Sequence, residues 1–257
     1  MVQEITSSEH KLVKKIASLK EKKYRERYRE FMVEGALSVT WALSSPYQVR
    51  DIVFSEDFHL PEDLQTEGKN LVKVPAHLFA KMADTKTPQG ILCTCSLPET
   101  PAMPEAGLFV YCDRVRDPGN LGTIIRTADA MGFDGVILSP DCVDPYNPKL
   151  VRSTMGSLFH ITLYDGVDYE AMATWQHHGF SLAVSALSEK AVTPQELSVT
   201  DKTVIVMGNE ASGVSKEILS LADSVVKIPM AGSAESLNVA AAAAILMYET
   251  AKKCNRI

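Results

Sequence analysis

The sequence predicts an α/β protein in two parts, the larger of them built on a mainly parallel sheet. Three observations carry that expectation. Apolar, β-branched runs recur at Leu108–Cys112, Gly135–Leu138, Ser181–Val184, Thr203–Met207 and Val225–Ile228, with helical stretches between them. Apolar strands separated by helices describe a parallel sheet covered on both faces. The first hundred residues alternate in the same way over shorter units. Between the two parts lies PETPAMPEAG, residues 98–107, whose three prolines fix φ and remove backbone donors, so it reads as an extended linker. The parts are therefore residues 1–97 and 108–257.

Local chemistry places each element. In the first part Ser7 or Ser8 is positioned to cap a helix beginning near Glu9. Strands are expected at Glu30–Val33, Val49–Phe54, Leu71–Val74 and Ile91–Cys95, and helices at Gly35–Leu43 and Ala76–Met82. In the second part helices are expected near Leu121–Met131, Pro148–Phe159, Tyr169–His178 and Ser215–Leu221, and from Val239 to Lys253. Ligands on open parallel sheets bind beyond the carboxyl ends of the strands. The segments after Cys112, Met207 and Ile228 are thus the places for a site.

Composition narrows the class. The hydrophobic fraction of 46% and charged fraction of 23% are ordinary for a globular chain. No apolar run approaches the roughly eighteen residues a membrane helix needs. The opening MVQEITSSEHK lacks the apolar stretch of a secretory signal, so a cytoplasmic protein is expected, with no membrane partner. Five scattered cysteines form no disulfide framework. Cys93 and Cys95 sit two apart on an expected strand and read as small buried residues on one face. The six histidines make no ligand cluster, so no metal site is expected.

The net charge of −6 argues against broad nucleic-acid binding, but its distribution argues otherwise. Residues 11–29, KLVKKIASLKEKKYRERYR, hold nine Lys/Arg against two Glu, a local +7 that leaves −13 on the rest. A basic segment on an acidic body can supply phosphate contacts where they are needed.

Three segments follow three strands. In DRVRDPGNLGTIIRTADAMG, residues 113–132, Pro118, Gly119 and Gly122 shape a tight turn. Asn120 is placed to cap the next helix, and Arg126 falls on its first or second turn. Thr123, Arg126, Thr127 and Ala130 share one face of that helix. In VMGNEASGVS, residues 206–215, Gly208 and Gly213 let the backbone approach a ligand, and Glu210 sits between them. The pattern is neither a dinucleotide fingerprint nor a P-loop. In IPMAGSAESLNVAAAAA, residues 228–244, Pro229 ends the strand and Ser236 or Asn238 starts a helix with five consecutive alanines.

The ordered set DPGNLGTIIRTADAMG, GNEASGVS and IPMAGSAESLNVAAAAAILMYE resembles the three motifs of the SpoU/TrmH family of SPOUT methyltransferases, across the whole second part. The segment ITSSEHKLVKKIASLKEKKYRERYREFMVEG is similar to the L30e-like substrate-binding domain that precedes many members. The resemblance implies a trefoil-knotted catalytic domain, S-adenosylmethionine as cofactor, RNA as substrate and a homodimer with both sites near its interface. It implies ribose 2′-O-methylation, with ribosomal RNA ahead of transfer RNA. The other readings are a non-catalytic RNA-binding member and, from the α/β architecture alone, a nucleotide-cofactor oxidoreductase.

Residue by residue, Asn120 and Arg126 match the Asn and the catalytic Arg of the first motif. Glu210 matches the Glu of the second, and Ser236 and Asn238 match the third. Gly208, Ile228 and Leu237 match cofactor-holding backbone positions, and Met207, Gly213 and Met230 are grouped with them. VRSTMGSLF resembles the intermotif R-x-S-x-G, with Thr154 where Ser is commoner, and Ala240 stands where Ser is frequent. With an RNA substrate, Lys14, Lys15, Lys22, Lys23, Arg25 and Arg27 become phosphate contacts, and Tyr24 or Tyr28 a stacking ring. The attacking 2′-hydroxyl must lose a proton, and the three motifs contain no His. A guanidinium, with a pKa above about 12, is a poor base. Arg126 therefore reads as a group that binds the adjacent phosphate and orients the ribose, with direct proton abstraction as the alternative. Glu210 reads as a brace for the loops.

Overall fold

The computed structural model describes residues 2–257. In chain order the elements are β1 (Val2–Glu4), α1 (Lys11–Ser18), α2 (Lys22–Tyr28), β2 (Glu30–Glu34), α3 (Ala36–Leu43), β3 (Val49–Ser55), β4 (Asn70–Val74), α4 (Ala76–Met82) and β5 (Ile91–Ser96). There follow β6 (Gly107–Cys112), α5 (Pro118–Ala130), β7 (Gly135–Leu138), α6 (Pro148–Ser153), β8 (Thr162–Tyr164), α7 (Tyr169–His177), β9 (Ser181–Ser185), β10 (Lys202–Met207), α8 (Lys216–Leu219), β11 (Ser224–Val226) and α9 (Val239–Lys253). The chain packs as two units. One is the chain through Glu99 together with Tyr146–His160; the other is Thr100–Pro145 with Ile161–Ile257.

The first unit holds a five-stranded mixed sheet in the order β1-β4-β3-β5-β2. β1, β4 and β3 run parallel, while β5 is antiparallel to both β3 and β2. Its core joins Val13, Ile16 and Leu19 of the α1 region to Leu78, Phe79 and Met82 of α4 and to Met32, Val53, Val72 and Leu92 from the strands. Cys93 and Cys95 are both buried with sulfurs 3.9 Å apart, as two residues on one strand face must be. Their mutual hydrogen bond and burial hold the Cys93 thiol well above its ordinary pKa, so it stays an inert core group.

The helix expected near Glu9 is two helices. His10, not Ser7 or Ser8, caps α1, its Nδ1 accepting from the Leu12 amide at 3.2 Å. The helix is interrupted between Leu19 and Glu21. There the Arg25 guanidinium folds back to donate to the carbonyls of Leu19 (2.7 Å) and Lys20 (2.9 Å), which a helix end leaves without partners.

The expected helix at Pro148–Phe159 also divides, into α6 and a short 3₁₀ turn at Ser157–Phe159. Met155 and Gly156 between them take positive φ (50° and 96°), which no helix continues through. A Cβ on Gly156 would lie 1.4 Å from Cε3 of Trp41, so glycine is demanded both by the backbone and by the indole. Around this point Tyr47 meets Phe159 edge-on and Phe31 lies against Tyr146, closing the first unit.

The second unit is a six-stranded sheet, β11-β9-β10-β6-β7-β8, parallel throughout. β6 and β10 at its centre are mainly apolar and almost wholly buried, as helices on both faces require. An aromatic cluster of Phe109, Tyr164, Trp175 and Phe180 fills one side, the rings meeting at centroid separations of 4.9 to 5.7 Å. On the other side α5 packs against α9, where Ala240 and Ala243 are buried and their small side chains admit close approach. β11 ends at Val226, two residues before the expected Ile228. The short strands β1 and β8 were not expected: three residues give too few positions to show alternation.

Replacing Gly156 by Ala should cost about 3 kcal/mol through overpacking and backbone strain. Urea unfolding measures it. A midpoint equal to that of the wild type would mean Trp41 and this turn are not so fixed.

Candidate active site

Because the strands of the second unit run parallel, the loops that follow β6, β9, β10 and β11 all emerge at one end of the sheet. Three of them, with the start of α9, enclose a cavity of about 620 Å³, within the range that holds a nucleoside-sized ligand. Its wall comes from Ser185–Leu187, Met207–Val214, Val226–Ile228 with Met230, and Glu235–Val239. Met207, Gly208, Gly213, Ile228, Met230 and Leu237 all line it, and so do Glu210, Ser236 and Asn238. Two of the three segments singled out in the sequence, those after Met207 and Ile228, therefore meet at its wall, and the loop after β9 completes it.

The loop after β10 is closed on itself. Asn209 and Gly213 exchange backbone hydrogen bonds at 3.0 Å, and the Asn209 side-chain oxygen accepts from the amides of Ala211 and Ser212. Gly213 has φ +67°, and a Cβ on Gly208 would lie 2.3 Å from the Val214 nitrogen. Both glycines are needed for this closure.

The loop after β6 runs into α5. Asp117, not Asn120, caps the helix: its Oδ1 accepts from the Asn120 amide at 2.8 Å. Pro118 occupies the first helical position, where its missing N–H costs nothing, and this moves the start upstream of Asn120. Arg126 consequently lies in the third turn, not the first or second. Its face is as expected. Thr123, Arg126 and Ala130 are exposed while Ile124, Ile125 and Ala128 are buried. Arg126 lines no part of the cavity within this chain.

Freed from capping, the Asn120 side chain joins the three segments. Its Nδ2 donates to Glu210 Oε1 at 3.0 Å, and its Oδ1 accepts from Asn238 Nδ2 at 3.0 Å. Asn238 in turn caps α9, its Oδ1 accepting from the amides of Ala240 (2.9 Å) and Ala241 (3.3 Å). Partial burial works to raise the Glu210 pKa. Hydrogen bonds from Asn120 and from the amides of Glu210, Asp117 and Arg116 outweigh it, so the carboxyl titrates below its ordinary value.

Three residues outside the expected set also tie these loops. Asp113, buried at the end of β6, accepts from the Ser215 amide at 2.6 Å. Arg114 donates to the Gly213 carbonyl at 3.2 Å, and Asn209 Nδ2 donates to the Arg114 carbonyl at 2.8 Å. A charged residue directly following a buried apolar strand was the signal for Asp113. Arg152 and Thr154, from the intermotif segment, belong to the first unit. There Arg152 pairs with Asp84 at 2.8 Å, and the Thr154 hydroxyl donates to the Val151 carbonyl.

The basic segment is less available than its charge suggests. Arg25 is 2% exposed and holds the backbone turn described above, so it is not a phosphate contact. Lys15 lies between Glu30 (2.7 Å) and Asp51 (3.2 Å) and is likewise engaged. Its burial works to lower its pKa, but the two carboxylates outweigh that and raise it. Lys14, Lys22 and Lys23 are exposed and make surface pairs with Glu9, Glu26 and Glu21, of the kind that water and RNA can exchange. Arg27 is exposed beside the Tyr28 ring, which stacks on Tyr24.

A parallel α/β unit with its ligand cavity at the strand ends, preceded by a small unit with a basic surface segment, describes a nucleotide-dependent enzyme with a polyanionic substrate. The chain belongs to the SpoU rRNA methylase family, whose model matches residues 107–248, and an MRM3-like substrate-binding domain model matches residues 10–93. It is 36% identical to the 23S rRNA (guanosine(2553)-2′-O)-methyltransferase RlmP of Bacillus subtilis, over 96% of this chain and 98% of that one. Among solved structures it superposes on an AdoMet-bound rRNA methyltransferase from Sinorhizobium meliloti with a TM-score of 0.88, at 32% identity over 98% of each chain. It superposes on the SpoU methyltransferase AviRb from Streptomyces viridochromogenes, in complex with AdoMet, with a TM-score of 0.85. The identity there is 28%, over 96% of this chain and 98% of that one.

Glu210 makes a pH-dependent contribution. Its depressed pKa adds stability that is complete above the unfolded value near 4.5 and is lost as pH falls through the folded value. Glu210→Gln should cost about 1 kcal/mol at neutral pH. The gap between the two proteins in urea midpoint should close on acidification. A gap constant down to about pH 3 would remove Glu210 from this role.

Proposed function

We propose that this chain transfers the methyl group of S-adenosylmethionine to a ribose 2′-hydroxyl of RNA, with ribosomal RNA as the substrate class. The observation that carries the reading is that the second and third motif segments line one cavity and the first is tied to both, with Asn238, Asn120 and Glu210 in a single hydrogen-bonded chain. Relatives that match both units include proteins named as ribosomal RNA methyltransferases, among them those of Bacillus subtilis and Sinorhizobium meliloti, which favours ribosomal over transfer RNA.

The cavity suits the cofactor chemically. Met207, Ile228, Met230, Leu237 and Val239 give it apolar walls, and Glu210 and Glu235 place carboxylates where a sulfonium charge is welcome. The amides of Ile228, Met230 and Leu237 make no hydrogen bond with the described residues, so they remain donors for a purine or carboxylate. When bound, S-adenosylmethionine supplies an electrophilic methyl group.

The rest falls to the protein. Glu210 braces the first two loops by accepting from Asn120. Asn238 holds the third loop to Asn120 while capping α9. Ser236, exposed on the wall, is a donor for the ribose or the cofactor. The Arg126 side chain, exposed on α5, makes no ion pair or hydrogen bond with the described residues and is free to bind the phosphate beside the target nucleotide. It thereby orients the ribose and favours loss of the hydroxyl proton.

Since Arg126 stands outside the cavity of its own chain, the reading includes a homodimer in which the exposed faces of α5 and α9 meet a second copy. Ile245 and Tyr248 on α9 are 40% and 47% exposed, the apolar surface such a contact would cover. The trefoil-knotted path and a cytoplasmic setting belong to the same reading. Among the described residues no helix is long and apolar enough to cross a membrane.

The decisive experiment is single-turnover methylation of RNA by wild type and Arg126→Ala, with sedimentation of both. The wild type should be a dimer, and the variant should retain cofactor binding while losing about 100-fold in rate. Near-normal transfer by the variant would end the role of Arg126, and an active monomer would end the shared site. On the RNA side, neutralising Lys22, Lys23 and Arg27 together should reduce the slope of log affinity against log salt by about two to three. An unchanged slope would remove α2 from the interface.

A further inference from the structure

Arg114 stands where its backbone should not place it. Its φ is +58°, a left-handed conformation that glycine adopts freely and a branched or long side chain does not. Its amide, its carbonyl and its guanidinium all hold loops. Its amide donates to Ser139 Oγ at 2.9 Å, and its carbonyl accepts from Asn209 Nδ2 at 2.8 Å. Its guanidinium pairs with buried Asp113 at 3.2 and 3.3 Å and donates through Nη2 to the Gly213 carbonyl at 3.2 Å. Asp113 also accepts from the Ser215 amide at 2.6 Å.

These contacts bracket one peptide unit, that between Gly213 and Val214. It is trans, so its C=O and N–H point in opposite directions. Arg114 fixes the carbonyl, and Asp113 fixes the next amide, that of Ser215. The Val214 amide between them has no hydrogen-bond partner among the described residues, and Val214 lines the cavity. A free, immobilised N–H on a ligand wall is a donor prepared for a ligand.

We propose that Asp113 and Arg114 are positioning residues that orient the Gly213–Val214 peptide and so present the Val214 amide to the cofactor. The inference rests on the cavity being the S-adenosylmethionine site. It goes further in assigning two residues of the first loop to cofactor affinity through a third, and it explains why arginine occupies a glycine conformation.

The backbone conformation supplies an unusual test. Arg114→Gly removes the guanidinium but suits φ +58°, whereas Arg114→Ala removes it and keeps the strain. Arg114→Lys keeps a cation that can reach a carbonyl only as a point donor. Affinity for S-adenosylmethionine by calorimetry, the split of KM against kcat in methyl transfer, and thermal midpoints would be measured for all three. Arg114→Gly should have a higher midpoint than Arg114→Ala, because it relieves the left-handed backbone, and should still lose about 10-fold in affinity, as for one charged hydrogen bond, with KM rising more than kcat falls. Arg114→Lys should recover part of that loss. Unchanged affinity in Arg114→Gly would overturn the proposal, as would a loss of affinity that merely tracks the thermal midpoint across the three variants. A wild-type protein that binds no S-adenosylmethionine would instead defeat the functional reading beneath it.

Discussion

The site depends on one short chain of hydrogen bonds, from Asn238 to Asn120 to Glu210. It spans 118 and 90 positions of sequence, and it joins the third, first and second loops in that order. The residue types follow from what each link must do. Asn120 must accept on one side and donate on the other, which an amide does and a carboxylate cannot. Asn238 must donate to Asn120 while its oxygen caps α9, again an amide's work. An ionised carboxylate only accepts, so Glu210 is the natural end of the chain and sets its direction. The donors that satisfy it are the same ones that hold its pKa down.

The parallel sheet is what brings the three loops within reach. Crossover connections return each strand in the same direction, so every loop of the binding kind leaves from the same edge. The sheet's central strands are fixed by apolar burial on both faces. The loops beyond them are tied to one another largely by polar contacts, among them those of Asp113, Arg114 and Asn209. Burial thus builds the platform, and hydrogen bonding decides where each ligand-facing group stands upon it.

Much of this was legible in the residues. Five strands of the second unit show in their apolar runs, and α9 shows from Val239 to Lys253. The cavity-lining positions Gly208, Ile228 and Leu237 came from ordered motifs and their resemblance to a family. Other features were hidden because they are decided at a distance. Asn120 looks like a helix cap by type and position. Only the proline at 118 and the acceptor at Asp117 give it other work. Arg25 looks like one basic residue among nine, and its burial depends on two backbone carbonyls five and six positions upstream. Arg114 gives no sign in the sequence of its left-handed backbone. The division of residues 148–159 reflects Trp41, more than a hundred positions away, occupying the space a side chain at 156 would need.

The first unit is assembled from two stretches of chain, the second of them Tyr146–His160. A ribosome delivers these stretches in order, with Thr100–Pro145 between them. Residues up to Glu99 can form their sheet early, but Phe31, Trp41 and Tyr47 must wait with apolar faces open until His160 has left the exit tunnel. During that interval the nascent chain presents a hydrophobic seat with no occupant, the kind of surface on which chaperones act. The topology of the mature protein therefore leaves the first unit to be completed only after Thr100–Pro145 has been made.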